Sequence, residues 1–422
     1  MEHSAIKFYK RNIKVGYIFS FFNSLNITQG FWMIYLASKG ISLVQLGILE
    51  GLFHFVSFFM ETPTGAVADL FGRKASRILG RVLYTGYILL MLFGTSYEHF
   101  FIAFIFCAVG WNLESGAGDA LTYDSLLETG EESRYMKVNG WTEVIYQTAQ
   151  ALALVAGGWI ALQSYEKLFS WQLLIIAASI AAAAFFRETS VGRRHEGRKP
   201  CFVRSMADQY VESFRTVRGN SRLLYLIVLI NMLGVFTTTT FFYMQIYCSE
   251  NGLRESAMGI LLAVSCLLGA AGGLLAPKIE SRIGERGLLI GLPLVYMALM
   301  WGMTGFSTAV AAFAFIGFFD SVMYVIFSDY INRLIPSDRR ATLLSFSSMV
   351  FSLFMIIVFP LFGAIGDRYG LAAGFAAMAG VATVFAAANI AVLFRPSRRD
   401  RQPAQRPEPN PAPDPDPDSD QI

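Results

Sequence analysis

Charge is scarce in this sequence. Only 15% of its 422 residues are Asp, Glu, Lys or Arg, against about 25% in soluble domains. That deficit excludes a chain whose whole surface faces water. Cysteine is scarce as well: Cys107, Cys201, Cys248 and Cys266 are scattered without the spacing of a metal cluster or a disulfide framework. Histidine occurs four times, at His3, His54, His99 and His195, which supplies neither a metal centre nor a nucleophile–histidine pair. No enzyme activity and no cofactor are therefore expected. The absence of a Gly-x-x-x-x-Gly-Lys-Ser/Thr run argues against ATP as a fuel. The formal net charge of +3 gives no reason to expect a nucleic-acid partner.

What is abundant is apolar. Hydrophobic residues make up 54% of the chain, and Phe alone occurs 37 times. A membrane-spanning helix needs about 20 mostly apolar residues. Runs of that kind are read near 12–37, 42–68, 76–96, 99–123, 138–162, 168–186, 222–247, 255–277, 287–305, 308–330, 341–365 and 371–394. The expected fold class is an all-α membrane protein of twelve transmembrane helices in two six-helix halves. Helices are required because lipid cannot satisfy a bare backbone. Placing the N-terminus inside and alternating the spans leaves only Lys39, Lys167, Arg254 and Arg368, of 34 Lys and Arg, outside the cytoplasmic segments. This asymmetry follows the positive-inside rule and predicts a multi-pass cell (inner) membrane protein with both termini in the cytoplasm.

The organisation expected is an N-terminal six-helix bundle over 1–186, a basic cytoplasmic linker over 187–221 and a C-terminal six-helix bundle over 222–394. A disordered, proline-rich tail follows over 395–422. An internal repeat supports two related halves. Asp124 and Arg134 recur as Asp329 and Arg339, and Gly158 recurs as Gly363, at one offset. Glu114-Ser115 and Asp320-Ser321 match at nearly the same offset. Halves related in this way place a shared site between them, near the bilayer midplane.

Ionisable groups at membrane depth are costly and default to functional candidates. Glu50, His54, Glu61, Glu114, Asp119, Glu143 and Asp320 lie within spans, and no Lys or Arg is read as deep. Glu50, His54, Ser57 and Glu61 fall on one helix face. A low-dielectric setting favours the neutral form of a carboxyl group, so this ladder suits proton transfer. Glu50, His54, Glu61, Glu114 and Asp320 are the expected proton-coupling set. Pro63 is expected to bend the second span.

Between spans two and three lies Gly65-Ala-Val-Ala-Asp69-Leu-Phe-Gly72-Arg73-Lys74. It resembles the signature loop of the major facilitator superfamily, Gly-x-x-x-Asp-Arg-x-Gly-Arg-Lys, with Leu70 departing from the usual basic residue. A looser copy runs from Gly272 to Arg286, its acid displaced to Glu280. The resemblance implies alternating access, and a cytoplasmic gate in which Asp69 meets the start of span eleven. Gly65, Asp69, Gly72, Arg73, Arg134 and Arg339 are the gate candidates. It also implies a cavity lined by spans one, four, seven and ten, so Asn23, Asn26, Glu114, Asn231 and Asp320 are the expected substrate contacts. Trp32, Tyr35, Tyr243 and Tyr324 are candidate aromatic walls. The sequence looks like the drug-efflux branch, which implies proton-coupled export of small lipophilic or cationic compounds by a functional monomer. Proton-coupled uptake of a sugar or another neutral nutrient is the alternative.

Overall fold

The computed structural model describes residues 2–189, 220–335 and 340–394, and every regular element within them is helical. Most of the expected linker and the whole expected tail lie outside the described residues. We number the helices α1 (Glu2–Ser24), α2 (Trp32–Ser38), α3 (Leu43–Phe71), α4 (Arg73–Phe93), α5 (Tyr97–Leu127) and α6 (Tyr135–Ala161). They continue as α7 (Tyr165–Ala184), α8 (Ser221–Glu250), α9 (Glu255–Gly302), α10 (Phe306–Leu334), α11 (Arg340–Tyr369) and α12 (Leu371–Leu393). Ten helices among the described residues are long and apolar enough to cross a membrane. Leu174, Phe315, Leu361 and Val384 are exposed on their outer faces. An apolar surface of this extent belongs in lipid.

Two helices depart from one span per element. The first span is broken: residues 25–31 are not helical, so α1 and α2 together make one crossing. The 48-residue α9 makes two, because Gly284 adopts φ 73° in its middle. This is the conformation that glycine reaches without steric penalty. Gly72, with φ 91°, performs the same reversal between α3 and α4. Counted this way the chain crosses twelve times, as two six-helix halves. Pro63 does not interrupt α3, which continues through it to Phe71.

The halves meet along two seams, where α3 lies on α11 and α6 lies on the first part of α9. Glycine makes both approaches possible. A Cβ on Gly47 would stand 2.7 Å from the Phe359 carbonyl oxygen, and one on Gly158 would stand 2.6 Å from that of Glu255. Tyr243, fully buried, donates its hydroxyl to the carbonyls of Leu43 (3.1 Å) and Phe359 (2.9 Å). Tyr165 donates to Glu255 Oε1 at 3.0 Å. All of these contacts sit at the end of the molecule opposite the start of α1 and the end of α12.

The same end carries an ionic cap. Asp367, near the last turn of α11, accepts from the backbone N–H groups of Leu43 and Val44, each at 2.8 Å. These are unsatisfied donors at the start of α3, where the helix dipole favours an anion. Ser42 and Gln45 complete the end with a reciprocal capping box. Asp367→Asn keeps one acceptor and loses the charge. It is expected to loosen this end by about 1–2 kcal/mol. Maleimide should therefore label an Ile356→Cys reporter on the α3–α11 seam about tenfold faster in the Asp367→Asn background. An unchanged rate would show that the cap does not hold the seam.

Candidate functional site

A cavity of about 890 Å³ lies between the halves. Its wall comes from the break in the first span and from α3, α4, α5, α6, α8, α10 and α11. The seams close it at the end opposite the start of α1 and the end of α12. Toward the start of α1 its lining continues through Glu61, Ser328 and Ile331, and among the described residues a Cβ on Gly65 would meet nothing within 4 Å. Among the described residues Gly65 therefore makes no close helix approach.

The break in the first span is the feature that the sequence reading missed. Unwinding frees backbone groups that must find partners inside the protein. Ile27 N–H donates to Gln172 Oε1 of α7 at 2.9 Å, and the Gln29 carbonyl accepts from Gln245 Nε2 of α8 at 3.3 Å. Gln29 Oε1 accepts from Gln150 Nε2 at 2.9 Å. The run Asn23-Ser-Leu-Asn26-Ile-Thr28-Gln29-Gly30, polar inside an apolar span, is the signal that would have located it.

Four of the five expected substrate contacts line the cavity. Asn23 does so with a buried side-chain oxygen that has no hydrogen-bond partner among the described residues. Asn26 donates to the Tyr84 hydroxyl at 2.9 Å. Asn231 donates to Ser347 Oγ at 2.9 Å and to the Ile227 carbonyl at 2.7 Å. Asp320 accepts from the Tyr296 hydroxyl at 3.2 Å. Glu114 is placed differently. Arg77 grips it with two bonds, Nη2 to Oε1 at 2.8 Å and Nε to Oε2 at 3.2 Å. The Arg77 guanidinium also covers the Phe19 ring at 4.1 Å. Glu114 lines a smaller cavity of about 230 Å³ that shares Asn23, Trp111 and Tyr146 with the first. An acid held by its own cation is not free to face Asp320, as the repeat suggested.

On α3, Glu50, His54, Ser57 and Glu61 all line the main cavity. Glu50 and His54 are buried, with His54 Nε2 3.6 Å from Glu50 Oε1. The His54 ring meets Phe351 of α11 edge-on, with centroids 5.4 Å apart. The pair thus sits on one helix of the α3–α11 seam and against the other half. Trp32 and Tyr324 line the cavity, whereas Tyr35 and Tyr243 do not. Tyr35 donates to the Met91 carbonyl, and Tyr243 belongs to the seam.

Span three supplies a correction. The sequence reading placed no basic residue deep, but Arg81 is only 4% exposed and lines the main cavity. Among the described residues no carboxylate pairs with it, and its Nε has no acceptor. Arg81 lies a little over two turns into α4.

Of the gate candidates, the Asp69 side chain and the whole of Arg339 lie outside the described residues, so the expected latch cannot be placed. Arg73 is held within its own half. Its guanidinium pairs with Asp124, and its backbone N–H donates to Glu188 Oε1 at 2.9 Å. Glu188 also accepts from Lys74 N–H at 3.0 Å and packs beside Gly72. Arg134 pairs with Glu131 at the surface, and Lys10 lies 2.7 Å from the same carboxylate. Lys10 and Arg134 hold the Glu131 carboxyl below the usual range.

Two pseudo-symmetric halves around a central cavity define the major facilitator fold. The Major Facilitator Superfamily profile matches residues 15–310 and 286–416, and the chain belongs to this family. An uncharacterized MFS-type transporter of Bacillus subtilis (strain 168), YxaM, is 22% identical over 371 residues, which cover 84% of this chain and 89% of that protein. Among solved structures, a point mutant of the nucleoside transporter NupG matches with TM-score 0.73 and 16% identity, over 92% of this chain and all of that one. A D-xylose-proton symporter matches with TM-score 0.66 and 13% identity, over 89% and 96%. A bacterial homologue of the human lysosomal transporter Spinster, inward-facing and occupied, matches with TM-score 0.66 and 15% identity, over 93% and 97%. The protein is a multi-pass membrane transporter of this superfamily.

Proposed function

We propose that the protein is a proton-coupled secondary transporter that moves a small polar organic solute by alternating access, with both termini in the cytoplasm. One observation carries the reading. The cavity is sealed at one end by the seams, and its wall includes the Glu50–His54 pair on a seam-forming helix. A proton gained or lost there changes the charge on α3, and that change has a differential effect on the two gate positions. Such a difference is what coupling requires. Asp320, held by Tyr296, offers the corresponding acid in the second half. With cytoplasmic termini, the open end of the cavity faces the cytoplasm.

The cargo class follows from the lining. Amides from Asn23, Asn112, Gln150 and Asn231 line the cavity together with the rings of Trp32, Tyr84, Phe104 and Trp111. Amides suit hydroxyls and heteroatoms, and rings suit a flat or apolar body. Nucleoside and xylose transporters that share the fold handle cargo of that kind. Export of lipophilic cations draws on the acids and rings of the wall, and the buried Arg81 among them weighs against it. Export of planar compounds keeps support from the aromatic lining.

Proteoliposomes loaded with a pH-sensitive dye test this. Uridine, xylose, ethidium, benzoate and galacturonate are supplied in turn across an imposed gradient. At least one is expected to move protons, and the direction of movement separates uptake from export. Glu50→Gln is expected to slow proton-driven transport by about tenfold or more, with a flattened pH profile, while solute exchange persists. No proton movement with any solute, or an unchanged pH profile in Glu50→Gln, His54→Gln and Asp320→Asn, overturns proton coupling.

A further inference from the structure

We infer that Arg81 is an anion-recognition site, and that the cargo is a small organic anion carrying a carboxylate or phosphate group beside a ring or other apolar part. This deepens the transporter reading and rests on it.

Arg81 and Arg77 stand one helical turn apart on α4 but are treated differently. Arg77 has Glu114 in a two-bond grip and an aromatic ring beneath it. That grip uses both Glu114 oxygens, so this acid is committed to Arg77. Glu50, another acid of the cavity wall, faces His54. Among the described residues Arg81 pairs with no carboxylate, and the Tyr84 ring lies 4.8 Å from its guanidinium carbon. A guanidinium is protonated at every accessible pH and presents a planar fork of donors. Buried charges in proteins are paired or serve a ligand. Here the guanidinium Nε is left without an acceptor among the described residues, and the side chain lines the cavity.

The surroundings fit a ligand with two parts. Tyr84 underlies Arg81 and is fixed by Asn26 from the broken span. Tyr84, Tyr87, Phe104 and Trp111 give the same part of the wall a ring-lined surface. The Asn23 oxygen, unpartnered among the described residues, adds an acceptor for a hydroxyl or amine of the same ligand. A guanidinium fork binds a carboxylate or a phosphate oxygen pair in the same two-point geometry. The experiment distinguishes the two.

Three matched pairs serve as probes on the purified full-length protein: benzamide and benzoate, galactose and galacturonate, uridine and uridine 5′-monophosphate. Binding is read by tryptophan fluorescence and by thermal stabilisation, because a ligand of the folded state alone raises stability. In the wild type, at least one anion is expected to bind about tenfold tighter than its neutral partner. Preference confined to benzoate or galacturonate assigns a carboxylate, and preference confined to the nucleotide assigns a phosphate. Arg81→Gln is expected to abolish the preference. Arg81→Lys, which keeps the charge and loses the fork, is expected to retain part of it. Arg222→Gln, at an exposed pair with Glu285, serves as the unaffected control. The inference fails if neutral members bind as tightly as anions, if Arg81→Gln keeps the preference, or if no anion binds at all. Because the comparison is made on the wild type, a poorly folding variant does not rescue it. Proton-coupled movement of a neutral or cationic solute without anion preference would sink this inference and leave the transporter reading intact.

Discussion

Glu114→Leu is expected to destabilise the protein by about 3–5 kcal/mol, the usual effect of leaving a buried charge without its partner. The Arg77 side chain is only 6% exposed in the pair, so water cannot take over the role of the lost carboxylate. The double variant Arg77→Met with Glu114→Leu should recover most of the loss, because an apolar pair of similar volume avoids the desolvation penalty. The two single variants and the double variant form a cycle, and the residues touch, so a strong coupling energy is predicted. Thermal unfolding in detergent measures all three. A Glu114→Leu protein as stable as the wild type would show that the pair is not structural. A Glu114→Gln protein of full stability but altered pH profile would return this residue to the proton-coupling set, where the sequence first placed it.

Gly259→Leu is expected to cut transport by about tenfold or more while leaving binding to the open cavity intact. Gly259 packs on Leu154 and Gly158 across the α6–α9 seam, with the Gly158 Cα 3.2 Å from where its Cβ would stand. A leucine cannot fit there without separating the helices. Overpacking of this kind costs about 1–3 kcal/mol, which shifts a two-state equilibrium by roughly five- to 150-fold. The penalty falls on the conformation closed at this end and spares one in which the seam has parted. Transport needs both conformations, so the cycle stalls. A Gly259→Leu variant with normal turnover would mean that this seam is not a moving part.

Much of this arrangement is legible from the sequence, for reasons that can be named. Lipid imposes span length, and Lys and Arg favour one side, so crossings could be counted without a structure. The matched positions Gly158 and Gly363 were found as an arithmetic coincidence. In the fold they occupy corresponding places, one on each seam, against Glu255 and Leu43. Glu114 and Asp320 show where the repeat misleads. They sit at matched positions, yet Arg77 claims one and Tyr296 claims the other. Pairing depends on what lies opposite, and a single chain read in order does not reveal that. Arg81 was misplaced for a similar reason. Distance along a span was read as depth, but whether a side chain faces headgroups or a cavity depends on its helix face and neighbours. Asp367 was not singled out at all. It looked like an ordinary acid in a short loop, and only the fold shows that it caps a helix more than 300 residues away in sequence.

The most direct test is whether the two ends of the molecule open in opposition. Spin labels at Gln163 and Asn251 report the sealed end, and labels at Leu127 and Arg333 report the open end; all four positions are exposed. Pulsed distance measurements across pH 5 to 8, with and without Asp367→Asn, should show the first pair moving apart as the second moves together. Distances that stay fixed at both ends, or that lengthen together, would contradict a carrier that exposes its central cavity to one side at a time.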